Sequence, residues 1–276
     1  MSLEDQSQTF AKRRFGQNFL VDANVIRRII NEVQPQAGET IVEIGPGRGA
    51  LTAKLIESGA RVIAIEFDRD LIPQLREQFA GAGNFTLIES DALTADFCQA
   101  IQPSEQARIL ANLPYNIATA ILQRLIQQRR CLAEIILILQ KELVDRITAP
   151  AGSGDRGFIS VVAEAYYDAA RVFDIAPQSS RPAPNVWSSV LRMTRRAQSI
   201  AEITDEQRLW EIVSAGFAQR RKTILNNLRS APPAIKDQLE KRGGAGDVLN
   251  EACIPPLRRA ETLTLDEWVR IAKILE

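Results

Sequence analysis

The chain has 276 residues, of which 45% are hydrophobic and 25% are charged, as is ordinary for a soluble globular protein. It contains no histidine, which excludes any mechanism that needs an imidazole as a base, nucleophile or metal ligand. Its 34 basic and 34 acidic residues balance, which argues mildly against a nucleic-acid partner, although several basic residues are clustered, as at residues 220–222.

The composition also predicts a compartment. No apolar run approaches the ~20 residues of a membrane helix, and the N-terminus lacks the apolar region of a signal peptide. Cys98, Cys131 and Cys253 show no paired spacing, which predicts free thiols and no zinc site. We therefore expect a cytoplasmic monomer without disulfides, bound metal or membrane contact.

Short apolar runs alternate with helical patterns along the first half of the chain. A helix capped by Asp22 comes first. Strands are then predicted at 40–44, 61–65, 85–88, 108–111 and 134–140, and helices at 51–56, 71–79, 117–126 and 141–147. This alternation is typical of βαβ units, so we expect an α/β fold with a parallel, Rossmann-like sheet covered by helices.

The second half changes character. Residues 149–157 are rich in glycine and predict a flexible loop near the site, where it could act as a lid. A helix at 158–166 and an antiparallel pair of strands at 170–175 and 189–193 follow, and only helical patterns remain after Arg196. The sequence thus predicts an N-terminal segment, a sheet domain and a small helical domain, with the ranges 1–21, 22–196 and 197–276.

Glycines and acids follow the first three predicted strands. Gly45 and Gly47 let the backbone turn sharply and pass close to a ligand. Glu66 ends the second strand, where a carboxylate can accept both ribose hydroxyls, whereas Asp68 is interpreted as a surface or capping residue. Asp91 follows the third strand and either accepts a hydrogen from an adenine amine or caps the next helix. The glycine loop also fits the pattern G-x-G-x-x-A, so a nicotinamide or flavin enzyme is an alternative.

The fourth strand is followed by Asn112, Leu113, Pro114 and Tyr115. The side-chain carbonyl of Asn112 and the backbone carbonyl of Leu113 can accept hydrogens from an exocyclic amine, and two acceptors would direct its lone pair out of the ring. Pro114 stiffens the turn, and Tyr115 offers a face on which a base can stack. Taken alone, the tetrapeptide could be a simple turn with Asn112 as a helix cap. A nicotinamide enzyme, however, gives no reason for it at this strand end.

Several longer motifs extend these observations over nearly the whole chain, at residues 15–20 (FGQNFL), 42–47 (VEIGPG), 112–116 (NLPYN), 139–142 (LQKE), 219–228 (QRRKTILNNL) and 258–263 (RRAETL). In these motifs the chain resembles the ribosomal RNA adenine dimethyltransferases, which include the bacterial small-subunit enzyme and the Erm resistance methylases. The last two motifs lie in the predicted helical domain and look more like the small-subunit enzyme than Erm.

The resemblance implies an S-adenosylmethionine-dependent methyltransferase of class I, whose N-terminal segment covers the cofactor. It implies two adjacent adenosines near the 3′ end of 16S ribosomal RNA as the target, in the small ribosomal subunit, and a role in the biogenesis of that subunit. It implies that Asn112, Leu113, Pro114 and Tyr115 are catalytic, that Arg220, Arg221 and Lys222 bind RNA, and that the cofactor is bound by Gln17, Asn18, Leu20, Gly45, Gly47, Glu66, Asp91, Ala92 and Asn112.

One stretch departs from the family pattern. The family has Phe-x-Pro-x-Pro-Lys-Val-Asp-Ser where residues 180–188 of this chain read SRPAPNVWS. Ser180 thus replaces the aromatic expected to stack on the target adenine opposite Tyr115, and one lost stacking contact costs roughly 1–3 kcal/mol. We interpret Arg181 as an RNA-binding substitute that stacks through its guanidinium plane. A non-enzymatic assembly factor on the same fold and an Erm-type 23S ribosomal RNA methylase are the alternative functions.

Overall fold

The computed structural model describes residues 17–197 and 202–276, so residues 1–16 of the predicted covering segment lie outside the described part of the chain. Its strands are β1 (Phe19–Leu20), β2 (Thr40–Ile44), β3 (Arg61–Glu66), β4 (Phe85–Glu89), β5 (Ala107–Asn112), β6 (Leu132–Gln140), β7 (Tyr167–Ile175), β8 (Ser180–Arg181) and β9 (Ser188–Arg195). Its α-helices are α1 (Ala23–Val33), α2 (Ala50–Glu57), α3 (Ile72–Gln78), α4 (Phe97–Ala100), α5 (Ala118–Gln127), α6 (Lys141–Ile147), α7 (Phe158–Tyr166), α8 (Glu206–Gly216), α9 (Ile224–Arg229), α10 (Pro233–Lys241), α11 (Ala245–Glu251) and α12 (Leu265–Ile274).

Seven strands form the main sheet in the order β4-β3-β2-β5-β6-β9-β7. The neighbours from β4 to β6 are parallel, and β9 runs antiparallel to β6. The chain leaves β2 toward β3 and β4, and then returns to place β5 on the other side of β2. Open α/β sheets bind ligands at such a reversal of strand order, outside the carboxyl ends of the strands. The predicted α/β fold is confirmed.

The strands next to this reversal are buried on both faces. All five residues of β2 are buried, and β3 is buried from Val62 onward. Helices cover the sheet, and α1 contributes Ile29 and Val33 to the core. Asp22 starts α1 by accepting hydrogen bonds from the N–H groups of the second and third residues that follow it, as the sequence predicted. Continuous apolar runs are what a sheet covered on both faces requires.

One prediction about cysteines is wrong. The structure joins Cys98 and Cys131 in a disulfide, whereas Cys253 is free and exposed. The two bonded cysteines are 33 residues apart in sequence, so their spacing gave no sign of a pair. They meet because α4 packs beside the 3-10 turn that precedes β6, and the side chain of Gln128 bonds the N–H of Phe97 at 2.7 Å.

Contacts divide the chain into two compact units, residues 1–144 with 170–195 and residues 145–169 with 196–276. The sequence assigned residues 145–169 to the sheet domain, but α7 packs against α8 and α12 in the second unit. The loop at 149–157 is anchored in that unit through Arg156, which is 2% exposed. Its guanidinium pairs with Glu164 at 2.5 Å and donates to the carbonyl of Ala149 at 3.0 Å.

The second unit is built around Trp268, which is fully buried. The ring centroids of Phe217 and Trp268 are 5.6 Å apart. Gly216 makes this packing possible, because a Cβ at that position would lie 2.3 Å from the tryptophan ring. The helices α10 and α11 were not predicted individually, since each buries only two or three side chains and so shows a weak apolar repeat. Among the described helices, none has the length and apolar character needed to cross a membrane.

Candidate functional site

A cavity in the first unit lies at the carboxyl ends of β2, β3, β4 and β5. The structure brings every predicted cofactor and catalytic residue to its wall. The lining includes Gln17, Asn18, Leu20, Gly45, Gly47, Glu66, Asp91, Ala92, Asn112, Leu113, Pro114 and Tyr115. The residues from Gly45 to Tyr115 meet because parallel strands present their carboxyl ends at one edge of the sheet, and Gln17, Asn18 and Leu20 reach the same cavity from the N-terminal segment.

The glycine loop has the backbone conformation that only glycine adopts easily. Gly45 and Gly47 have φ values of 66° and 59°. A Cβ on Gly47 would also lie 2.9 Å from the ring of Phe19, because β1 passes directly over the loop. The guanidinium carbon of Arg48 lies over the same ring of Phe19, 4.9 Å from its centroid. The loop therefore has no space for a side chain at Gly47.

Glu66 is a buried carboxylate at the end of β3, with 6% of its surface exposed. One of its oxygens accepts hydrogen bonds from the N–H groups of Phe67 and Asp68, at 2.9 and 2.8 Å. Burial raises its pKa, and the backbone hydrogen bonds oppose that rise. The backbone thus fixes one side of the carboxylate, which can accept hydrogen bonds from ligand hydroxyls in the cavity.

The N-terminal segment is attached to the cavity by side-chain contacts. The amide of Gln17 donates to Asp68 at 2.9 Å, and the amide nitrogen of Asn112 donates to the backbone carbonyl of Asn18 at 2.9 Å. Leu20 pairs with Ser180 in the small antiparallel sheet of β1 and β8. The interpretation of Asp68 as a surface residue is wrong, since it is only 5% exposed. No local pattern near Asp68 indicates its partner, which is 51 residues away.

The alternative prediction that Asp91 caps the next helix is wrong, because α4 is capped by Asp96 and Asp91 lies in a turn. Its Oδ1 accepts a hydrogen bond from the N–H of Leu93 at 2.9 Å. This bond fixes the side chain in the cavity wall, next to Ala92, and uses one oxygen. A carboxylate has a second oxygen and several lone pairs, so the same side chain can also accept a hydrogen from a ligand amine.

Asn112 is oriented by its contact with Asn18. Because Nδ2 donates to that backbone carbonyl, Oδ1 is the side-chain atom that is left to accept a hydrogen. The next residue, Leu113, is 2% exposed and donates its N–H to the carbonyl of Ile138 at 3.3 Å, which ties the turn to β6. The tetrapeptide is therefore held between the N-terminal segment and the sheet.

Sequence reasoning missed Glu43, which also lines the cavity. It is 2% exposed and accepts a hydrogen bond from the hydroxyl of Thr52 at 2.6 Å. Burial raises the pKa of Glu43 to about 7, the hydrogen bond from Thr52 lowers it, and the nearby charge of Glu66 raises it. An acid inside the otherwise apolar strand β2, directly before the glycine loop, was the signal that could have revealed it.

The predicted RNA-binding residues lie outside this cavity lining. Arg181 is exposed, and its guanidinium donates to the carbonyls of Gln178 and Ser180 at 3.1 Å. In the second unit Arg220, Arg221 and Lys222 are exposed, and Arg220 donates to the carbonyl of Gly154. Their contact with RNA stays a prediction.

Comparison with known proteins gives consistent matches. The sequence profile of a family described as ribosomal RNA adenine dimethylase matches residues 9–270. The ribosomal RNA small subunit methyltransferase A of Hahella chejuensis is 40% identical over 262 residues, covering 95% of this chain and 92% of the relative. Its counterpart from a Geobacillus species is 37% identical over 272 residues, covering 96% and 91%.

Two solved structures share the fold. A dimethyladenosine transferase from Plasmodium falciparum superposes with a TM-score of 0.76 at 22% identity, covering 92% of this chain and 95% of that one. The 23S rRNA methyltransferase ErmE superposes with a TM-score of 0.66 at 25% identity, covering 94% and 99%.

Proposed function

Because the chain belongs to the ribosomal RNA adenine dimethylase family, we propose that it methylates two adjacent adenosines near the 3′ end of 16S ribosomal RNA. S-adenosylmethionine is the methyl donor, and each adenosine receives two methyl groups on its exocyclic amine. The observation that carries this proposal is the cavity itself, in which the turn from Asn112 to Tyr115 faces the acids and glycines of a nucleoside site.

The cavity residues fit the methyl donor. Four carboxyl groups, those of Glu43, Glu66, Asp68 and Asp91, line the wall and suit a ligand that carries a sulfonium and an ammonium. Gly47 lets the ring of Phe19 pack directly against the loop, where a Cβ would clash with that ring. Glu66 would hold the ribose hydroxyls, and Asp91 would accept from the adenine amine. The bound donor supplies an electrophilic methyl group on its sulfonium.

The protein contributes position rather than a base. The carbonyl oxygens of Asn112 and Leu113 accept hydrogens from the target amine and direct its lone pair toward the methyl group. Tyr115 supplies the stacking surface for a base taken out of its helix. Alignment of two reactants in one cavity is a large source of rate enhancement. The nitrogen–carbon bond would form as the carbon–sulfur bond breaks, so that the sulfur leaves as a neutral thioether and the amine then releases its proton to solvent. The product nitrogen keeps a lone pair for a second transfer.

The proposal extends to the partner and the compartment. The exposed Arg220, Arg221 and Lys222 would contact the RNA backbone by charge. The relatives named small subunit methyltransferase A align through this region, which favours 16S over 23S ribosomal RNA as the substrate. The enzyme would act in the cytoplasm, as a monomer, on small subunits during their biogenesis.

The test is transfer of labelled methyl from S-adenosylmethionine to unmethylated small ribosomal subunits, with large subunits assayed alongside. We expect dimethyladenosine in the small subunit only. Label in the large subunit would support the Erm-type alternative. Bound cofactor without transfer to either subunit would support the assembly-factor alternative.

A variant separates the proposed role of Asn112 from cofactor binding. Asn112→Ala removes the side-chain acceptor and is expected to abolish transfer even at saturating S-adenosylmethionine, while the affinity for S-adenosylmethionine falls because the contact with Asn18 is also lost. Affinity is measured by calorimetric titration and transfer by scintillation counting. Full activity in this variant would show that the side chain is not needed as an acceptor.

A further inference from the structure

Tyr115 is held at both ends of its side chain. Its backbone follows β5 through Pro114, and its hydroxyl oxygen lies 2.8 Å from the hydroxyl oxygen of Ser188. The residue lines the cavity beside Asn112. A tyrosine side chain has two torsions that set the plane of its ring. Because the hydroxyl oxygen lies on the axis about which the ring turns, a hydrogen bond there fixes the first torsion, and with it the direction of the ring axis and the place of the ring in the cavity.

Ser188 presents its hydroxyl from a fixed backbone. It is the first residue of β9, is 7% exposed, and pairs with Gln140 in the antiparallel register of β6 and β9. The N–H of Lys141 donates to the carbonyl of Trp187 at 2.9 Å, which extends this pairing by one bond. Only the side-chain torsion of the serine is left to adjust the contact.

The neighbouring serine has a different partner. Ser189 is fully buried, and its hydroxyl donates to Asp174 at 2.6 Å. Successive side chains along a strand point to opposite faces of the sheet, so the two hydroxyls are directed away from each other. Of these two buried serines in β9, only Ser188 bonds Tyr115 of the cavity, and Ser189 bonds Asp174.

We propose that Ser188 is a positioning residue for the target base, acting through Tyr115. This inference rests on the proposed function. A base stacked on the ring takes the plane of that ring, and its amine must point at the acceptors of Asn112 and Leu113. A ring whose axis swings would move the stacked base and spread its amine over several positions, and reaction rates depend steeply on such alignment. The hydroxyl of Ser188 fixes the ring axis from a strand 73 residues away in sequence.

The first experiment is a double-variant cycle on the full chain with small ribosomal subunits. Ser188→Ala and Tyr115→Phe each remove one end of the same hydrogen bond. Each is expected to lower kcat by about two- to tenfold, the size of one lost hydrogen bond. The double variant is expected to be no slower than either single variant. Ser188→Thr keeps a hydroxyl and is expected to restore the rate.

The matched control is Ser189→Ala, which makes the same truncation one residue along the strand. It is expected to leave kcat unchanged, and all these variants should bind S-adenosylmethionine within about twofold of the wild type, since one hydrogen bond outside the cofactor contacts is changed. Wild-type kcat in Ser188→Ala would contradict the inference. Losses that multiply in the double variant would also contradict it, because the two hydroxyls would then act separately.

A second measurement does not depend on transfer. The chain has three tyrosines, so NMR of selectively labelled tyrosine resolves Tyr115. The scalar couplings that report its first torsion are expected to average over several rotamers in Ser188→Ala but not in Ser189→Ala. Unchanged couplings would overturn the positioning role. A wild-type protein that transfers no methyl contradicts the proposed function alone, and the couplings then decide the inference.

Discussion

The buried carboxyl of Glu43 makes the stability of the ligand-free protein depend on pH in a predictable direction. Burial raises its pKa from the ordinary value of 4.5 to about 7. The folded state therefore binds more protons than the unfolded chain between these values, and stability falls as the pH rises through this window. The charge that appears near pH 7 is buried, and among the described residues only the hydroxyl of Thr52 donates a side-chain hydrogen bond to it.

Glu43→Gln removes this charge and keeps a group that can accept from Thr52. At about 1.4 kcal/mol per pH unit, a rise from 4.5 to about 7 corresponds to about 3 kcal/mol. The variant is thus expected to be more stable than the wild type by about 3 kcal/mol at pH 8, and by about 1 kcal/mol or less at pH 5. The two proteins should converge near pH 4.

Urea unfolding of both proteins at pH 5 and pH 8, followed by circular dichroism without cofactor, measures this difference. Glu57→Gln is the control, because that carboxylate is 61% exposed and its surface pair with Lys54 contributes less than about 1 kcal/mol. A stability difference between Glu43→Gln and the wild type that is equal at the two pH values would refute the reasoning. Glu43→Gln should also weaken S-adenosylmethionine binding, because the cationic ligand favours the ionised carboxylate.

Three further outcomes are expected. Gly47→Ala should weaken cofactor binding, because its Cβ would lie 2.9 Å from the ring of Phe19 at a φ of 59°. Gly38→Ala should only lower stability, because its φ is 82° but no described atom lies within 4 Å of the added Cβ. Equal cofactor affinities of the two variants, measured by calorimetry, would argue against a close approach at the glycine loop. Gly216→Ala should lower the melting temperature of the second unit, since its Cβ would lie 2.3 Å from Trp268, and an unchanged calorimetric transition would contradict this packing. Thiol titration of the unfolded chain should count one thiol before reduction and three after it; reduction should cost about 3–4 kcal/mol of stability for a closed loop of this length.

The order of elements and the cavity residues at the strand ends could be predicted because their signals are local, whereas Gln17, Asn18 and Leu20 were assigned only through the family resemblance. A fully buried strand reads as a continuous apolar run, and the predicted bounds of β2 agree with the structure. A glycine at positive φ, a capping aspartate and a polar residue at a strand end are likewise visible within a few residues. Parallel strands then bring their carboxyl ends together, so residues as distant as Gly45 and Asn112 could be assigned to one edge.

Only the tertiary structure decided the contacts between segments that are distant in sequence. The bond between Gln17 and Asp68 spans 51 residues, and nothing near either residue indicates the other. The same holds for the disulfide of Cys98 with Cys131 and for the grouping of residues 145–169 with the second unit. A local pattern records which face of an element is buried. The residue that packs against that face depends on how whole helices and strands are arranged, and this arrangement exists only in the folded chain.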